Sequence, residues 1–446
     1  MKALFFLRHY NDIDHITPVI SKWIESAHHC DIILIGKPKF RYDYRIEFLR
    51  QVYGVRIAHI RDLLMPFEFL RWQLQTLLLV NSVRRLFGIG RLFDLISGIY
   101  GAKQRKRTWD SVNDCLLERS FKGIQDGVVV FDWVTKDSPV SIEWVATLIS
   151  AARDRGYGAV SLPHGDSPHA TQLIRHHEWS LKPDTLFSAA VIFDKVVVPN
   201  ELCAKRFRPF MDDQAIAVLG SARYCDEWLG KLAHLSPFPD FLNGSRSRLK
   251  IVMFLRKSNF TTFWEEVSEV VGMIAAFSQV KLVIKPHTRG GWRQPLTKDS
   301  SLRRLPNVSV AGDDVHSIQL MNWADVIIDL ATSVVFEAVK AEKPVLAADY
   351  LHAGRSALAQ FMPETELKCR DDVYRRINGF LSDGCDSFYV KENRQRFIDE
   401  MLHAGAPDVL TRYVAVLEAQ ARYRPESGIS LSKEKPFGSI NPDICE

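Results

Sequence analysis

The sequence predicts an α/β protein built from two open parallel sheets whose loop edges face a central cleft. Strand-length apolar runs alternate with segments of helical period almost from end to end. The alternation stops at a Pro-, Gly- and Ser-rich stretch, residues 236–248, and then starts again. Polar side chains cluster directly after the apolar runs, where ligands bind in doubly wound sheets. These three observations predict two domains with a ligand site between them.

The first half of the chain contains seven strand-like apolar runs. Amphipathic segments between them, such as 16–27 and 142–153, predict helices and therefore parallel βαβ units. A long helical insertion, about 63–118, interrupts this pattern. The predicted strands are 3–7, 31–36, 55–60, 127–132, 158–162, 195–200 and 215–220.

The second half repeats the plan with five apolar runs. The predicted strands are 249–256, 280–286, 308–312, 325–330 and 344–349, and the predicted helices are 264–277, 317–323, 334–340 and one or two within 393–422. The tail from Pro425 is rich in Ser, Pro and Lys and is expected to be unpacked. We therefore expect an N-terminal domain at 1–240, a C-terminal domain at 241–424 and a flexible tail at 425–446.

Composition excludes several classes of protein. The 446 residues exceed what one hydrophobic core usually serves, and 46% hydrophobic with 25% charged residues is typical of a globular protein. A net charge of +5, with Lys and Arg spread along the chain, does not indicate a nucleic-acid groove. The seven cysteines form no C-x-x-C pair, which favours a reducing compartment over a disulfide framework.

The sequence predicts no leader and no transmembrane span. The apolar run at the N-terminus is too short for a signal peptide, and no 18-residue window is uninterruptedly apolar. A cytoplasmic location is therefore expected. Residues 63–107 combine aromatic and leucine side chains with many arginines, so this stretch either rests on an anionic inner-membrane surface or packs on its own domain.

Four short motifs carry a resemblance to a known family. They are "LPHGD" at 162–166, "GSARY" at 220–224, "KPH" at 285–287 and "TSVVFEAVKAEKPVL" at 332–346. Together they resemble GT-B glycosyltransferases, nearest to the branch of bacterial Kdo and sialyl transferases and CDP-glycerol glycerophosphotransferases. The match covers about 128–349. It implies a GT-B architecture of two Rossmann-like domains, with the acceptor bound mainly by the first and a nucleotide donor by the second.

The second half offers residues suited to a nucleotide. Thr332 and Ser333 stand at a predicted helix start, where hydroxyls cap and free N–H groups favour an anion, and Glu337 follows one turn later within reach of a ribose diol. The alternative is a plain capped helix with Glu337 in solvent, and a purely structural role for His287. The expected donor-binding residues are Arg223, Lys285, His287, Arg289, Thr332, Ser333 and Glu337.

The first half offers residues suited to proton transfer. Glycosyl transfer needs a base for the acceptor hydroxyl and donors for the leaving phosphate. His164 and Asp166 flank Gly165 after a strand and are the catalytic candidates, unless they only satisfy loop amides. Asp14 is the runner-up for the base, unless it caps the helix predicted at 16–27. The acceptor-binding candidates are His9, Asn11, Asp12, His15 and His169.

Other chemistries lack their motifs. The chain has no G-x-x-x-x-G-K-[ST] and no G-x-G-x-x-G after the first strand, and its histidine pairs lack zinc-protease spacing. The Asp-x-Asp at 12–14 resembles a metal motif but follows the wrong strand. No metal and no cofactor are therefore expected.

The favoured function is metal-independent transfer of a sugar, with a CMP-Kdo-type donor, to a glycan or lipid-linked glycan acceptor. The setting expected for it is synthesis of a bacterial surface polysaccharide such as lipopolysaccharide or capsule. The alternatives are a CDP-glycerol glycerophosphotransferase-like enzyme, a UDP-sugar 2-epimerase and a non-catalytic binding subunit of an assembly complex.

Overall fold

The computed structural model describes nine stretches of the chain. They are residues 1–78, 102–136, 142–164, 185–236, 238–243, 247–256, 262–287, 302–352 and 358–423. Three predicted site residues, Asp166, His169 and Arg289, lie outside these stretches, as does the predicted flexible tail.

The first sheet in the described residues has seven parallel strands. They are β1 (Lys2–Leu7), β2 (His29–Leu34), β3 (Arg56–His59), β4 (Gly127–Asp132), β5 (Gly158–Leu162), β6 (Lys195–Val198) and β7 (Ile216–Val218). Their spatial order is β3-β2-β1-β4-β5-β6-β7. The order of winding reverses between β1 and β4, and ligands of doubly wound sheets bind outside the carboxyl ends of the strands at such a point.

Helices cover both faces of this sheet. They are α1 (Tyr10–Glu25), α2 (Tyr44–Tyr53), α3 (Ile60–Leu63), α4 (Pro66–Leu78), α5 (Ala102–Phe121), α6 (Ile142–Arg153), α7 (Glu201–Ala204) and α8 (Asp226–Leu235). The central strands are almost wholly apolar because both faces are buried, as in other parallel sheets. On one face Phe6 stacks on Phe131 with ring centroids 4.4 Å apart, and Trp144 of α6 meets both rings edge-on.

The second sheet has five parallel strands among the described residues. They are β8 (Leu249–Phe254), β9 (Val280–Lys285), β10 (Val308–Val310), β11 (Val326–Asp329) and β12 (Val345–Ala347), in the order β10-β9-β8-β11-β12. The associated helices are α9 (Trp264–Ala275), α10 (Ser317–Trp323), α11 (Val335–Lys340), α12 (Leu358–Phe361), α13 (Arg370–Asp383) and α14 (Lys391–Phe397). The winding reverses again, here between β8 and β11. The predicted fold class, two parallel-sheet α/β units, is confirmed.

Short 3₁₀ segments complete the described connections. They are Pro38–Tyr42, Thr185–Ile192, Asp213–Ala215, Asp240–Leu242, Leu302–Arg304, Asp349–Leu351 and Pro363–Thr365.

The last helix returns to the first sheet. A π-helical turn, Ile398–His403, follows α14, and α15 (Val409–Ala421) then packs against α1, β4 and β5. The approach is close: a Cβ at Gly158 would lie 2.4 Å from the carbonyl oxygen of Gln420, so only glycine fits at the start of β5. The described chain therefore passes between the two sheets twice, and the domain boundary near residue 240 stays a prediction.

Two helices begin at other residues than the sequence predicts. Helix α1 starts at Tyr10 instead of residue 16, since Asp12 accepts hydrogen bonds from the amides of Arg8 and His9 and so stabilises an earlier first turn. Helix α11 starts at Val335, after Thr332 has turned back to bond Asp329. Within the described residues, none of the helices has the length and apolar character needed to cross a bilayer.

Candidate functional site

Arg8 and Asp132 meet at the point where the first sheet reverses its winding. Arg8 follows β1 and Asp132 ends β4, and the two residues are 4% and 1% exposed to solvent. Arg8 Nε donates to both carboxylate oxygens of Asp132 at 2.9 Å, and its Nη2 donates to Asp132 Oδ2 and to the carbonyl oxygen of Trp133. The planar guanidinium thus holds Asp132 in one orientation.

Asp12 lies beside this pair at the start of α1. Its Oδ2 accepts hydrogen bonds from the amide of Arg8 at 2.8 Å and from the amide of His9 at 2.9 Å. The residue is completely buried, and a carboxylate is stabilised at a helix N-terminus by the free N–H groups there. Its other oxygen, Oδ1, faces His164.

His164 completes a cluster of four charged groups. Its Nδ1 lies 2.8 Å from Asp12 Oδ1 and 2.5 Å from Asp132 Oδ2. Burial lowers the pKa of His164, but the two carboxylates outweigh this and raise it to about 10. Burial conversely acts to raise the pKa of Asp12, while His164 and Arg8 hold it well below its usual range. At neutral pH the cluster therefore contains two cations and two anions.

Three residues of the same cluster lie close enough together to share one metal ion. Asp12, Asp132 and His164 each offer a ligand atom, and these atoms lie within 4.8 Å of one another. However, Arg8 already donates to both oxygens of Asp132, and Nδ1 of His164 lies 2.8 Å from Asp12 Oδ1 and 2.5 Å from Asp132 Oδ2. We interpret the arrangement as a buried ion-pair cluster.

A second ion-pair cluster surrounds Asp14, two residues further along α1. Arg45 Nη1 donates to Asp14 Oδ1, and Arg223 Nε lies 2.9 Å from Asp14 Oδ2. Burial acts to raise the pKa of Asp14, but Arg223 and Arg45 depress it well below its usual range. Asp14 lies inside α1 and does not cap it. A carboxylate held by two guanidiniums is a weak base, which disfavours Asp14 as the acceptor base.

The second half of the chain reaches this second cluster. Tyr224, next to Arg223, packs on Phe336 of α11 with centroids 5.3 Å apart, and His316 meets Tyr44 edge-on at 5.7 Å. Glu337 of α11 is 2% exposed, and burial raises its pKa to about 7 although the charge of Arg223 opposes this. Side chains from both halves thus meet around Arg223.

The second sheet has its own cluster at its reversal point. Arg256 follows β8 and Asp329 ends β11, and both are buried. Asp329 accepts hydrogen bonds from the amide of Thr332 at 3.1 and 3.0 Å and from its hydroxyl at 2.5 Å. Burial raises the pKa of Asp329 to about 7 despite these bonds. Thr332 therefore closes a turn, in which Ala331 adopts a φ of 54°, and its hydroxyl is already used.

The cations near this edge are destabilised by burial. Burial lowers the pKa of Arg256 to about 10, although Asp329 and Asp349 act to raise it. It also lowers the pKa of Lys285 to about 8, and Lys285 Nζ donates to the carbonyl oxygen of Gly312 at 2.5 Å. His287 and Ser333 are half-buried, and Ser333 bonds the hydroxyl of Tyr224.

The remaining predicted acceptor residues lie along α1. His9 and Asn11 are half-buried, and the ring of His9 lies 6.2 Å from that of His164. His15 is 7% exposed, and burial lowers its pKa to about 3 with a contribution from Arg223. It borders a small cavity of about 10 Å³, roughly the room one water molecule needs, which Tyr224 and Phe336 also line. The uncharged ring of His15 is thus part of the junction between the halves.

Sequence reasoning missed six residues that these clusters need. For four of them a signal existed, since each charged side chain directly follows or ends an apolar strand; Arg45 and His316 had no such signal. The six residues are Arg8, Arg45, Asp132, Arg256, His316 and Asp329.

No protein-family model and no curated protein sequence matches the chain. Solved structures do resemble its fold. The UDP-GlcNAc 2-epimerase of Neisseria meningitidis, bound to UDP-GlcNAc, superimposes with a TM-score of 0.54 at 11% identity over 94% of this chain and 98% of its own. The Methanocaldococcus jannaschii enzyme, in complex with UDP-GlcNAc and UDP, gives 0.54 at 11% identity over 93% and 100%. The glycosyltransferase of kitacinnamycin gives 0.51 at 12% identity over 94% and 98%.

These neighbours are GT-B fold enzymes, so the GT-B architecture expected from the motifs is found. At such low identity the likeness concerns the fold. The Kdo and sialyl transferase branch does not appear among these three neighbours.

Proposed function

We propose that this protein is an enzyme that acts on a nucleotide-activated sugar and transfers the sugar to an acceptor. The observation that carries this proposal is the meeting of side chains from both halves around Arg223. Arg223 contacts Asp14 of the first half and interacts electrostatically with Glu337 of the second half. A site divided between two halves suits a reaction with two substrates.

The second half is proposed to bind the donor. Lys285 and Arg256 lie at the carboxyl ends of neighbouring strands, where burial lowers the pKa of each side chain. An anionic phosphate at this edge would stabilise both charges, which favours binding of a nucleotide. His287, Arg289, Ser333 and Glu337 stay candidates for contacts with it, whereas Thr332 acts here through its turn.

The first half is proposed to bind the acceptor and to move its proton. The charge states disfavour two of the three candidate bases, because His164 is protonated at neutral pH and Asp14 is paired with two arginines. Asp166 is therefore the favoured base. A CMP-Kdo-type donor, a glycan or lipid-linked glycan acceptor and a role in surface polysaccharide synthesis form the finer part of this proposal.

Calorimetry with CMP, CDP, UDP and GDP tests the donor half. We expect one nucleotide to bind and the His287→Ala variant to bind it at least tenfold more weakly, while Lys368→Ala, at an exposed position, serves as the control. Incubating CMP-Kdo with candidate glycans and analysing the products then tests transfer. Absence of binding by all four nucleotides would exclude the proposal.

A UDP-sugar 2-epimerase is the second candidate, favoured by the fold likeness to two UDP-GlcNAc 2-epimerases. Such an enzyme needs no acceptor. Conversion of UDP-GlcNAc alone to a second UDP-sugar, followed by NMR, would establish this activity in place of transfer.

Contact with the inner membrane remains a prediction for the insertion. Part of it packs inward, since Trp72 is 5% exposed and meets Trp144 edge-on. The opposite face of α4 exposes apolar side chains, and Lys106 and Arg107 of α5 are exposed. The exposed apolar residues at this end are Met65, Phe67, Leu70 and Leu74. Co-sedimentation with anionic and neutral vesicles tests the contact.

A further inference from the structure

We propose that Arg8, Asp12 and Asp132 form a positioning set that holds His164 as a fixed imidazolium, whose Nε2–H stabilises negative charge on the substrate. This inference rests on the proposed function and assigns a role within its site. It makes His164 a charged hydrogen-bond donor and removes it from the candidates for the base.

The two carboxylates beside His164 are themselves held by fixed hydrogen bonds. Asp12 uses Oδ2 for the amides of Arg8 and His9, so its Oδ1 is the oxygen left for His164. Asp132 is held by the guanidinium N–H groups of Arg8, which donate to both of its carboxylate oxygens. Arg8 thus acts on His164 through Asp132, and through its own amide it also anchors Asp12. Preorganised groups of this kind need no rearrangement during reaction.

The charges around His164 balance when its ring is protonated. Among the described residues, the groups that face it are Asp12 of α1, Asp132 of β4, Arg8 behind Asp132, the ring of His9 and, further off, His15. With His164 protonated, the cluster is neutral. Loss of that proton would leave two carboxylates against one guanidinium in a buried site, which is unfavourable.

The ring of His164 is the most exposed part of the cluster. The side chain of His164 is 23% exposed, whereas those of Arg8, Asp12 and Asp132 are 5%, 0% and 1% exposed. Nδ1 forms a hydrogen bond with Asp132 Oδ2 and lies 2.8 Å from Asp12 Oδ1. Nε2 has no hydrogen-bond partner among the described residues, so the part of the cluster open to a ligand is an N–H donor carrying positive charge.

NMR titration of the protein labelled with ¹⁵N-histidine tests the inference without any substrate. The His164 signals are assigned by their loss in His164→Gln. We expect both ring nitrogens to stay protonated through pH 8, and Asp132→Asn to move the titration down by more than about one pH unit. Asp114→Asn, at a carboxylate that pairs with Arg155 on the surface, is the matched control and is expected to leave it unchanged.

Two milder variants cover the case in which Asp132→Asn does not fold. Arg8→Lys keeps the positive charge but loses the paired N–H donors of the guanidinium, and Asp12→Asn keeps the shape of the side chain. Each is expected to lower the titration midpoint of His164, and each should lower kcat more than it raises KM. His164→Gln is expected to lower kcat by about 10²-fold, the effect typical of removing one electrostatic donor.

Deprotonation of wild-type His164 below pH 8 would overturn the inference, as would a titration that neither Asp132→Asn nor Arg8→Lys moves. A shift of the His164 signals on adding Zn²⁺ or Mg²⁺ to EDTA-treated protein would replace the ion-pair cluster by a metal site. Failure of nucleotide binding, in contrast, would remove the proposed function and leave the titration result standing.

Discussion

The two sheets carry matching residues at their reversal points, but the charges there behave in opposite ways. In each sheet an arginine follows the first strand of the unit and an aspartate ends the strand beside it: Arg8 with Asp132, and Arg256 with Asp329. In the first sheet the partners hold one another as ions. In the second, Asp329 bonds Thr332 and burial raises its pKa to about 7, while the pKa of Arg256 falls to about 10.

The difference comes from the neighbours. The first cluster has equal numbers of cations and anions in direct contact. The second cluster brings buried carboxyl groups together, and the charge of Asp349 also raises the pKa of Asp329. Lys285 is buried as well, which lowers its pKa. The same topological position can thus provide either a set of mutually paired ions or a set of groups whose charged forms are disfavoured by burial.

Removing a charge from the first cluster should have the largest effect. Asp132→Asn leaves Arg8 buried without its carboxylate, and breaking a buried pair in this way costs about 3–5 kcal/mol. Urea unfolding measures the change in the free energy of unfolding. The surface pair of Asp114 and Arg155 is the control, and Asp114→Asn is expected to cost about 0–1 kcal/mol. Similar costs for the two variants would mean that the first cluster is not a tightly paired unit.

Two carboxyl groups close to Arg223, those of Asp14 and Glu337, should respond differently to replacement by an amide. Asp14→Asn deprives Arg45 and Arg223 of their shared partner and should cost about 3 kcal/mol. Glu337→Gln should become progressively more favourable relative to wild type as pH rises. The folded pKa of Glu337, about 7, lies above its ordinary value of 4.5, so wild type loses stability as pH rises from 4.5 through 7, and glutamine does not titrate.

Between pH 6 and pH 8 the stability difference between wild type and Glu337→Gln should shift by about 1 kcal/mol in favour of the variant. Urea unfolding at the two pH values measures it. A difference independent of pH would show that Glu337 is already ionised in the folded protein at pH 6.

The smallest expected effect concerns protons exchanged on binding. With a pKa of about 8, Lys285 is half-charged at pH 8, and an anionic nucleotide at this edge should restore its charge with uptake of about 0.5 proton. Calorimetry in two buffers of different ionisation enthalpy measures this uptake. Lys285→Met should abolish it, whereas Lys281→Met, on the same strand, should preserve it. Uptake that persists in Lys285→Met would assign the proton to another group.

Much of the fold follows from local pattern. The alternation of apolar runs located all twelve described strands, with ends that differ by at most two residues, because a parallel strand buried on both faces must be apolar along its length. The starts of α1 and α11 were harder to predict. Each depends on a side chain, Asp12 or Thr332, that bonds a group three or four residues earlier in the chain, and apolar periodicity does not register such a local polar contact.

The candidate site was predicted less completely. His164, Arg223 and Glu337 stood out because titratable side chains follow apolar strands or a helix start. Arg45 lies in an ordinary amphipathic helix, and its bond to Asp14 connects α2 to α1. Such a contact between elements leaves no trace in local periodicity.

The sequence by itself determined that the chain forms two parallel sheets with charged residues at their carboxyl ends, since apolar periodicity and strand length decide this locally. The tertiary structure alone decided which of those residues are ions. Arg8 and Asp132 are 124 positions apart in the chain, yet they share a hydrogen bond of 2.9 Å. The charge of a buried group depends on the distance to its partners and on its exclusion from water, and both exist only once the chain has folded.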